Sequence, residues 1–283
     1  GCRAAARRFF KLWVSTVALW VSWAMWSSPA PAAAALAGRV AIVTGGAGGI
    51  GSAIALGLAR QGATVVVAGR RLEQLRSTAS QIQAATAGAA QPGRAVPLAV
   101  DVSDEESVVA LFQRVAEECG PCHLLVNCAG IGIGGPTTEL SAETFSRVMA
   151  VNVLGPFLCA REAFKQMQKA EGGRIINVGS IAVDRPRPDA APYTTSKHAL
   201  QGLTRSLALD GRPHNIAVGI VHPGNVPSSL LPPEEIERRR AEEGFVSAED
   251  VASCVVQMAV LPLSANVLEL TVMPTRQPLV GRG

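Results

Sequence analysis

Seven short apolar runs, rich in β-branched residues, recur along the chain with stretches of helix length between them: VAIVT (40–44), TVVVA (64–68), AVPLAV (95–100), HLLVN (123–127), RIINVG (174–179), IAVGIV (216–221) and VLELTV (267–272). Their apolar character is continuous rather than alternating, so each strand must be buried on both faces, as in a parallel sheet covered by helices. The segments 50–61, 72–84, 104–118, 142–170, 192–210 and 247–261 have the length and spacing of those helices. Beta-alpha repetition of this kind predicts one doubly wound α/β domain over residues 38–283, with a surface loop at 85–94 and a longer Pro-rich loop at 223–233. The mixed-sign run Glu234–Arg240 reads as a solvated helix.

Of the 283 residues, 48% are hydrophobic and 17% charged, which is the balance of a globular protein. The net charge of +4 comes from the start of the chain, where Arg3, Arg7, Arg8 and Lys11 precede the first acidic residue, Glu73. The remainder is close to neutral and has no Lys/Arg stripe, which argues against a nucleic-acid partner.

Residues 1–37 differ from everything that follows. All four tryptophans lie there, and the basic residues precede the apolar run LWVSTVALWVSWAMW and the small-residue stretch SSPAPAAAALAG, the order found in a signal peptide. Three readings of this leader stand: a signal or membrane anchor, an organellar transit peptide, or residues upstream of a true start at Met25. A start at Met25 would make the protein cytoplasmic; a genuine leader would make it membrane-associated, lumenal or organellar.

The stretch CGPCHLLVNCAG (119–130) contains both a C-x-x-C redox tetrad and a C-x-x-C-H haem-attachment string. A redox tetrad follows a strand and opens a helix, whose N-terminus activates the first thiol. Here the order is reversed, so Gly120-Pro121 reads as a helix stop and Cys119 sits where the helix dipole disfavours a thiolate. A thiol oxidoreductase using Cys119 and Cys122 is thus a remote alternative. The six cysteines show no disulfide spacing.

Thr44-Gly45-Gly46-Ala47-Gly48-Gly49-Ile50-Gly51 joins the first strand to the first long helix. Glycines there let the backbone turn sharply and approach a diphosphate resting on the helix N-terminus. Tyr193 and Lys197, four residues apart, share one helix face, and a neighbouring ammonium favours the phenolate, making Tyr193 a plausible general acid/base. It is the only tyrosine in the chain.

Taken together, these motifs resemble the short-chain dehydrogenase/reductase family, short single-domain type. The likeness spans about residues 38–283: TGxxxGxG at Thr44–Gly51, N-N-A-G as Asn127-Cys128-Ala129-Gly130, Asn152 in VMAVNVLGPF, Ser180 ending INVGS, the Tyr193/Lys197 pair, and Pro223-Gly224 after a strand. Departures are Cys128 in place of an asparagine, Ser228 where threonine is usual, and Gly48 where many NADP-linked members carry a basic residue.

The resemblance implies a Rossmann-like α/β fold, a doubly wound parallel sheet of about seven strands with helices on both faces. It implies hydride transfer between a nicotinamide and a carbonyl or alcohol, with no metal. Tyr193 would be the general acid/base, Lys197 would assist it and hold the nicotinamide ribose, Ser180 would bind the substrate oxygen, and Asn152 would hold a water of the proton relay. Cofactor contacts are expected from Gly45, Gly49, Ile50 and Gly51, and from Asp101 and Val102 at the adenine. Asn127 would secure the central strand, and the Pro223, Gly224, Val226 and Ser228 backbone would face the carboxamide. The second strand ends in Gly69-Arg70-Arg71 with no carboxylate for a ribose hydroxyl, so NADP(H) is expected over NAD(H), with Arg70 as the phosphate ligand and Arg71 assisting. The resemblance further implies homodimers or homotetramers paired through helices 142–170 and 192–210, with membrane contact only if the leader is retained. A protein of this fold that binds nucleotide without turnover is the alternative. Arg185 and Arg187 could recognise an acidic substrate, although exposed loop arginines are the commoner case.

Overall fold

A computed structural model of the chain describes residues 34–89, 92–227 and 233–279; the leader up to residue 33 and Ser228 lie outside the described residues. Seven strands form one sheet in the order β3-β2-β1-β4-β5-β6-β7: β1 (Val40–Thr44), β2 (Thr64–Gly69), β3 (Arg94–Ala99), β4 (Cys122–Asn127), β5 (Gly173–Val178), β6 (Ile216–Pro223) and β7 (Glu269–Val272). Every pairing is parallel. The helices are α1 (Gly49–Arg60), α2 (Leu72–Thr86), α3 (Glu105–Glu118), α4 (Ala142–Met149), α5 (Gly155–Met167), α6 (Ala191–Gly211), α7 (Pro233–Glu242) and α8 (Ala248–Val260).

Alternate residues of each strand enter two separate cores. Ala41, Val43, Val65, Val67 and Val126 pack beneath Ile54 and Leu58 of α1, Leu75 of α2 and Val255 of α8. Ile42, Val66, Leu125, Ile175 and Val218 pack on the other face beneath Phe112 of α3, Leu158 of α5 and Leu207 of α6. Burial on both faces is why the strand runs are continuously apolar. Strand order reverses between β1 and β4, and such a reversal opens a crevice at the carboxyl ends of the strands, where open sheets of this kind bind ligands.

One predicted element is divided. Residues 142–170 do not form a single helix: a π-helical turn, Ala150–Leu154, separates α4 from α5. The cause is readable in the sequence, because the residue four on from Asn152 is Pro156, which has no N–H to give the Asn152 carbonyl.

Cys119 caps the C-terminus of α3, Gly120 takes φ 98°, and Cys122 opens β4, fully buried. Burial pushes both the Cys119 and the Cys122 thiols up, the reverse of an activated nucleophile. His123 is engaged in the sheet. The register of β1 against β4 slips between Val40 and Ala41, and the His123 Nδ1 accepts the Val40 N–H at 3.1 Å. Among the described residues no cluster of His, Cys, Asp or Glu could hold a metal ion, and no helix is long and apolar enough to cross a membrane.

Candidate active site

The glycine loop after β1 is built by close approach. Gly45 takes φ 69°, and a Cβ there would lie 2.9 Å from the Ala129 backbone. A Cβ on Gly51 would lie 2.2 Å from the Gly45 carbonyl oxygen, so the loop can close on the first turn of α1 only with glycine. Gly48 caps α1 with no side-chain hydrogen bond, and the space above Gly49 is open to 4 Å. An uncapped helix N-terminus facing open space fits a diphosphate. Ile50 is half-buried against the first core.

Thr44, which the sequence reading left without a role, ties this loop to the next one. Its buried hydroxyl accepts the N–H groups of Cys128 and Ala129 at 3.1 and 3.2 Å and donates to the Val126 carbonyl at 3.5 Å. Asn127 secures β4: its Nδ2 donates to Asn177 Oδ1 on β5 at 2.9 Å, and Asn177 in turn donates to Thr204 on α6 at 2.8 Å.

Beyond Asn127 the chain runs between three of the predicted site residues. A Cβ on Gly130 would stand 3.4 Å from Asn152 Oδ1 and 3.9 Å from Lys197 Nζ, and one on Gly132 would stand 3.7 Å from the Tyr193 ring. Asn152 sits in the π turn, and its amide grips the Ile131 backbone, accepting its N–H at 2.8 Å and donating to its carbonyl at 2.9 Å. The same amide donates to the Ser196 hydroxyl at 3.0 Å, which donates to the Tyr193 carbonyl at 2.7 Å. Both ends of the Asn152 side-chain amide are thus engaged.

Lys197 is buried on α6. Its Nζ donates to the Val178 carbonyl at the end of β5 at 2.9 Å and lies 5.5 Å from the centre of the Tyr193 ring. Among the described residues, no carboxylate forms an ion pair with it. Its field therefore falls on its neighbours: burial pushes the Cys128 thiol up to about 11, and the Lys197 charge opposes that rise. Ser180, two residues past Val178, accepts the Ala182 N–H on its Oγ at 3.1 Å, which leaves the hydroxyl hydrogen to be donated outward.

At the other end of the crevice Arg70 and Arg71 are exposed, Arg71 as the N-cap residue of α2. The Asp101 Oδ1 is held by the Ser103 hydroxyl and N–H at 2.6 and 3.0 Å. These bonds, with help from the Arg70 charge and against a cost of burial, keep its carboxyl below the usual range. Val102 turns its side chain into the second core against Gly155.

Pro223 ends β6, and Gly224 is packed so closely that a Cβ would lie 2.3 Å from Gln277 Oε1. Val226 is half-buried beside it. Asn225, not anticipated, and Arg187 both bind the Glu243 carboxylate, at 2.7 and 2.8 Å. Burial pushes Glu243 up, but these bonds and the guanidinium charges outweigh it and hold the carboxyl below its ordinary value. Arg187 is thus a strut between two loops, its charge already matched, whereas Arg185 is exposed and, among the described residues, bonds the Asp184 carbonyl alone.

A family model described as short chain dehydrogenase matches residues 39–238. A short-chain type dehydrogenase/reductase from Picea abies is 38% identical over 199 residues, 69% of this chain and 73% of that protein. Among solved structures, a dehydrogenase/reductase from Sinorhizobium meliloti 1021 is similar with a TM-score of 0.77 and 35% identity, covering 85% of this chain and 96% of that one. A metagenomic short-chain oxidoreductase in complex with NADP is similar with a TM-score of 0.73 and 35% identity, covering 85% and 99%. With the family model matching residues 39–238 and relatives above 30% identity over most of its length, the chain belongs to the short-chain dehydrogenase/reductase family of NAD(P)(H)-dependent oxidoreductases.

Proposed function

We propose that the protein transfers a hydride between NADP(H) and a carbonyl or secondary-alcohol substrate, with Tyr193 as general acid/base. The observation that carries this reading is the buried Lys197 ammonium, without a carboxylate partner among the described residues, 5.5 Å from the ring centre of the only tyrosine in the sequence. The Val178 carbonyl holds that ammonium beside the ring at 2.9 Å, where it is placed to bind a ribose hydroxyl and to pass a proton toward the Tyr193 hydroxyl.

When bound, NADPH would supply the hydride for carbonyl reduction and its oxidised form would accept it from an alcohol. The glycines of Gly45–Gly51 and the N-terminus of α1 would hold its diphosphate, Arg70 with Arg71 its ribose phosphate, Asp101 and Val102 the adenine end, Lys197 the nicotinamide ribose, and the backbone of Pro223–Val226, with Ser228, the carboxamide. Asn127 keeps β4 in register beneath it. At the reacting carbonyl, the Ser180 hydroxyl donates to the oxygen and Tyr193 delivers the proton to it; in the reverse direction Tyr193 accepts the proton of the alcohol. The proton reaches Tyr193 through Lys197 and a water held at Asn152. With Arg187 engaged by Glu243, no charge of that residue is left for an acidic substrate. NADPH should be consumed, by its absorbance, with members of a panel of ketones; consumption with none of them, and no reduction of NADP by secondary alcohols, would count against this function.

The protein is further proposed to act as a homodimer or homotetramer. Phe145, Leu154 and Phe157 on α4 to α5, and Leu209 on α6, are exposed large apolar side chains, and Gly202 on α6 faces open space. Such a surface suits pairing of these helices between copies. Sedimentation at micromolar concentration should show a dimer or larger; a monomer would refute the pairing.

A further inference from the structure

His222 takes no part in the steps above, yet it is buried to 2% exposure against the residue that carries the Ser180 hydroxyl. Strands β5 and β6 run parallel with Val178 opposite Val221, and Gly179 N–H donates to the Val221 carbonyl at 2.7 Å. His222 therefore lies beside the Gly179–Ser180 peptide. Its Nδ1 is 3.0 Å from the Ser180 carbonyl oxygen and 3.3 Å from the Ser180 nitrogen. One ring nitrogen cannot both donate to the first and accept from the second, so the tautomer decides.

The other nitrogen settles which. Nε2 is buried with no partner among the described residues. A proton there would be an orphaned buried donor, a rarer and costlier state than a bare lone pair. The proton therefore sits on Nδ1 and is donated to the Ser180 carbonyl. The fit is close: a Cβ on Gly179 would lie 2.6 Å from the His222 Nδ1, so only glycine lets the ring rest against this peptide.

We propose that His222 is a positioning residue for Ser180, its Nδ1–H fixing the extended peptide from which the Ser180 hydroxyl reaches the substrate oxygen. The proposal rests on the reading of Ser180 given above. His222 stays neutral in this role. Burial lowers its proton affinity and Lys197 on α6 adds to that, against the Ser180 hydrogen bond and the charges of Glu269 on β7 and Asp184 after β5. It is not a proton donor in the reaction, and no limb of the pH–rate profile belongs to it.

The test is a double-mutant cycle of His222→Phe with Ser180→Ala, followed by kcat and KM. His222→Phe keeps a ring and removes the N–H; it should lower kcat by about 10- to 100-fold where Ser180 is present, the scale of a misplaced catalytic group. In the Ser180→Ala background the same change should cost less than about twofold, and His222→Asn, which offers an amide N–H, should recover most of the activity. An undiminished loss in the Ser180→Ala background, or equal losses for the Asn and Phe variants, overturns the proposal. Near-normal activity of Ser180→Ala alone would instead overturn the reading of Ser180. Nitrogen-15 NMR of the wild-type imidazole is independent of how the variants fold: the proton should reside on Nδ1 and persist across about pH 6 to 9. A proton on Nε2 overturns the proposal.

Discussion

Tyr193→Phe is expected to lower turnover on the order of 10²–10⁴-fold while leaving the fold and cofactor binding intact. The ring packs beside Gly132 and Lys197 in either variant, so the substitution removes the proton donor and little else. Circular dichroism and cofactor affinity should match wild type. If the mutant turned over at a rate near that of wild type, the proton would come from another group and the assignment of Tyr193 would fail.

The second large effect is on cofactor choice. Wild type is expected to favour NADPH over NADH, because β2 ends in Gly69 with exposed Arg70 and Arg71 after it and no carboxylate to accept from a ribose hydroxyl. A guanidinium–phosphate contact is worth about 1.5–3 kcal/mol, roughly 10- to 100-fold in kcat/KM. Gly69→Asp with Arg70→Val replaces the phosphate ligand by a group that repels phosphate and accepts from the hydroxyl, so preference should pass to NADH. The space around Gly69 admits the change, since a Cβ there meets only the Leu75 side chain at 3.7 Å. Gly48 contributes no basic group from the glycine loop, so the expected result is preference rather than exclusivity. Wild type favouring NADH, or a double mutant still favouring NADPH, would refute this reading of the ribose pocket.

Much of the architecture was legible because burial on both faces writes each strand as an unbroken apolar run; β1 was read to the residue and the other strands to within a residue or two at each end. The helices followed from the spaces between. What escaped were features set by tertiary partners. Pro156 was in view, yet the break it makes at Asn152 is hidden in a pattern whose apolar periodicity continues through it. The partner of Arg187 is Glu243, 56 residues away, so nothing local distinguished a strut from a free loop arginine. Arg174 reads as the start of a strand, but its guanidinium is buried on the carbonyls of Leu261, Pro262 and Ala265, at 2.9 to 3.1 Å, beyond the end of α8. His123 and His222 bind backbone atoms of neighbouring strands, and a histidine's partner in a sheet depends on register, which sequence does not print.

Asn152 in the π turn and Tyr193 and Lys197 on α6 lie around the segment that follows β4, at the carboxyl end of the sheet. What joins them could not be read in advance: the Asn152 amide on Ile131, and the Lys197 ammonium on Val178.

The central claim is that this arrangement directs a hydride to a carbonyl carbon. Its most direct test is reduction of a ketone by the wild-type protein with NADPH carrying deuterium at the transferring position of C4, and mass analysis of the alcohol. The account predicts one deuterium, on the former carbonyl carbon, with the same labelled alcohol formed far more slowly by Tyr193→Phe. An alcohol formed without deuterium from either C4-labelled epimer of NADPH would contradict it.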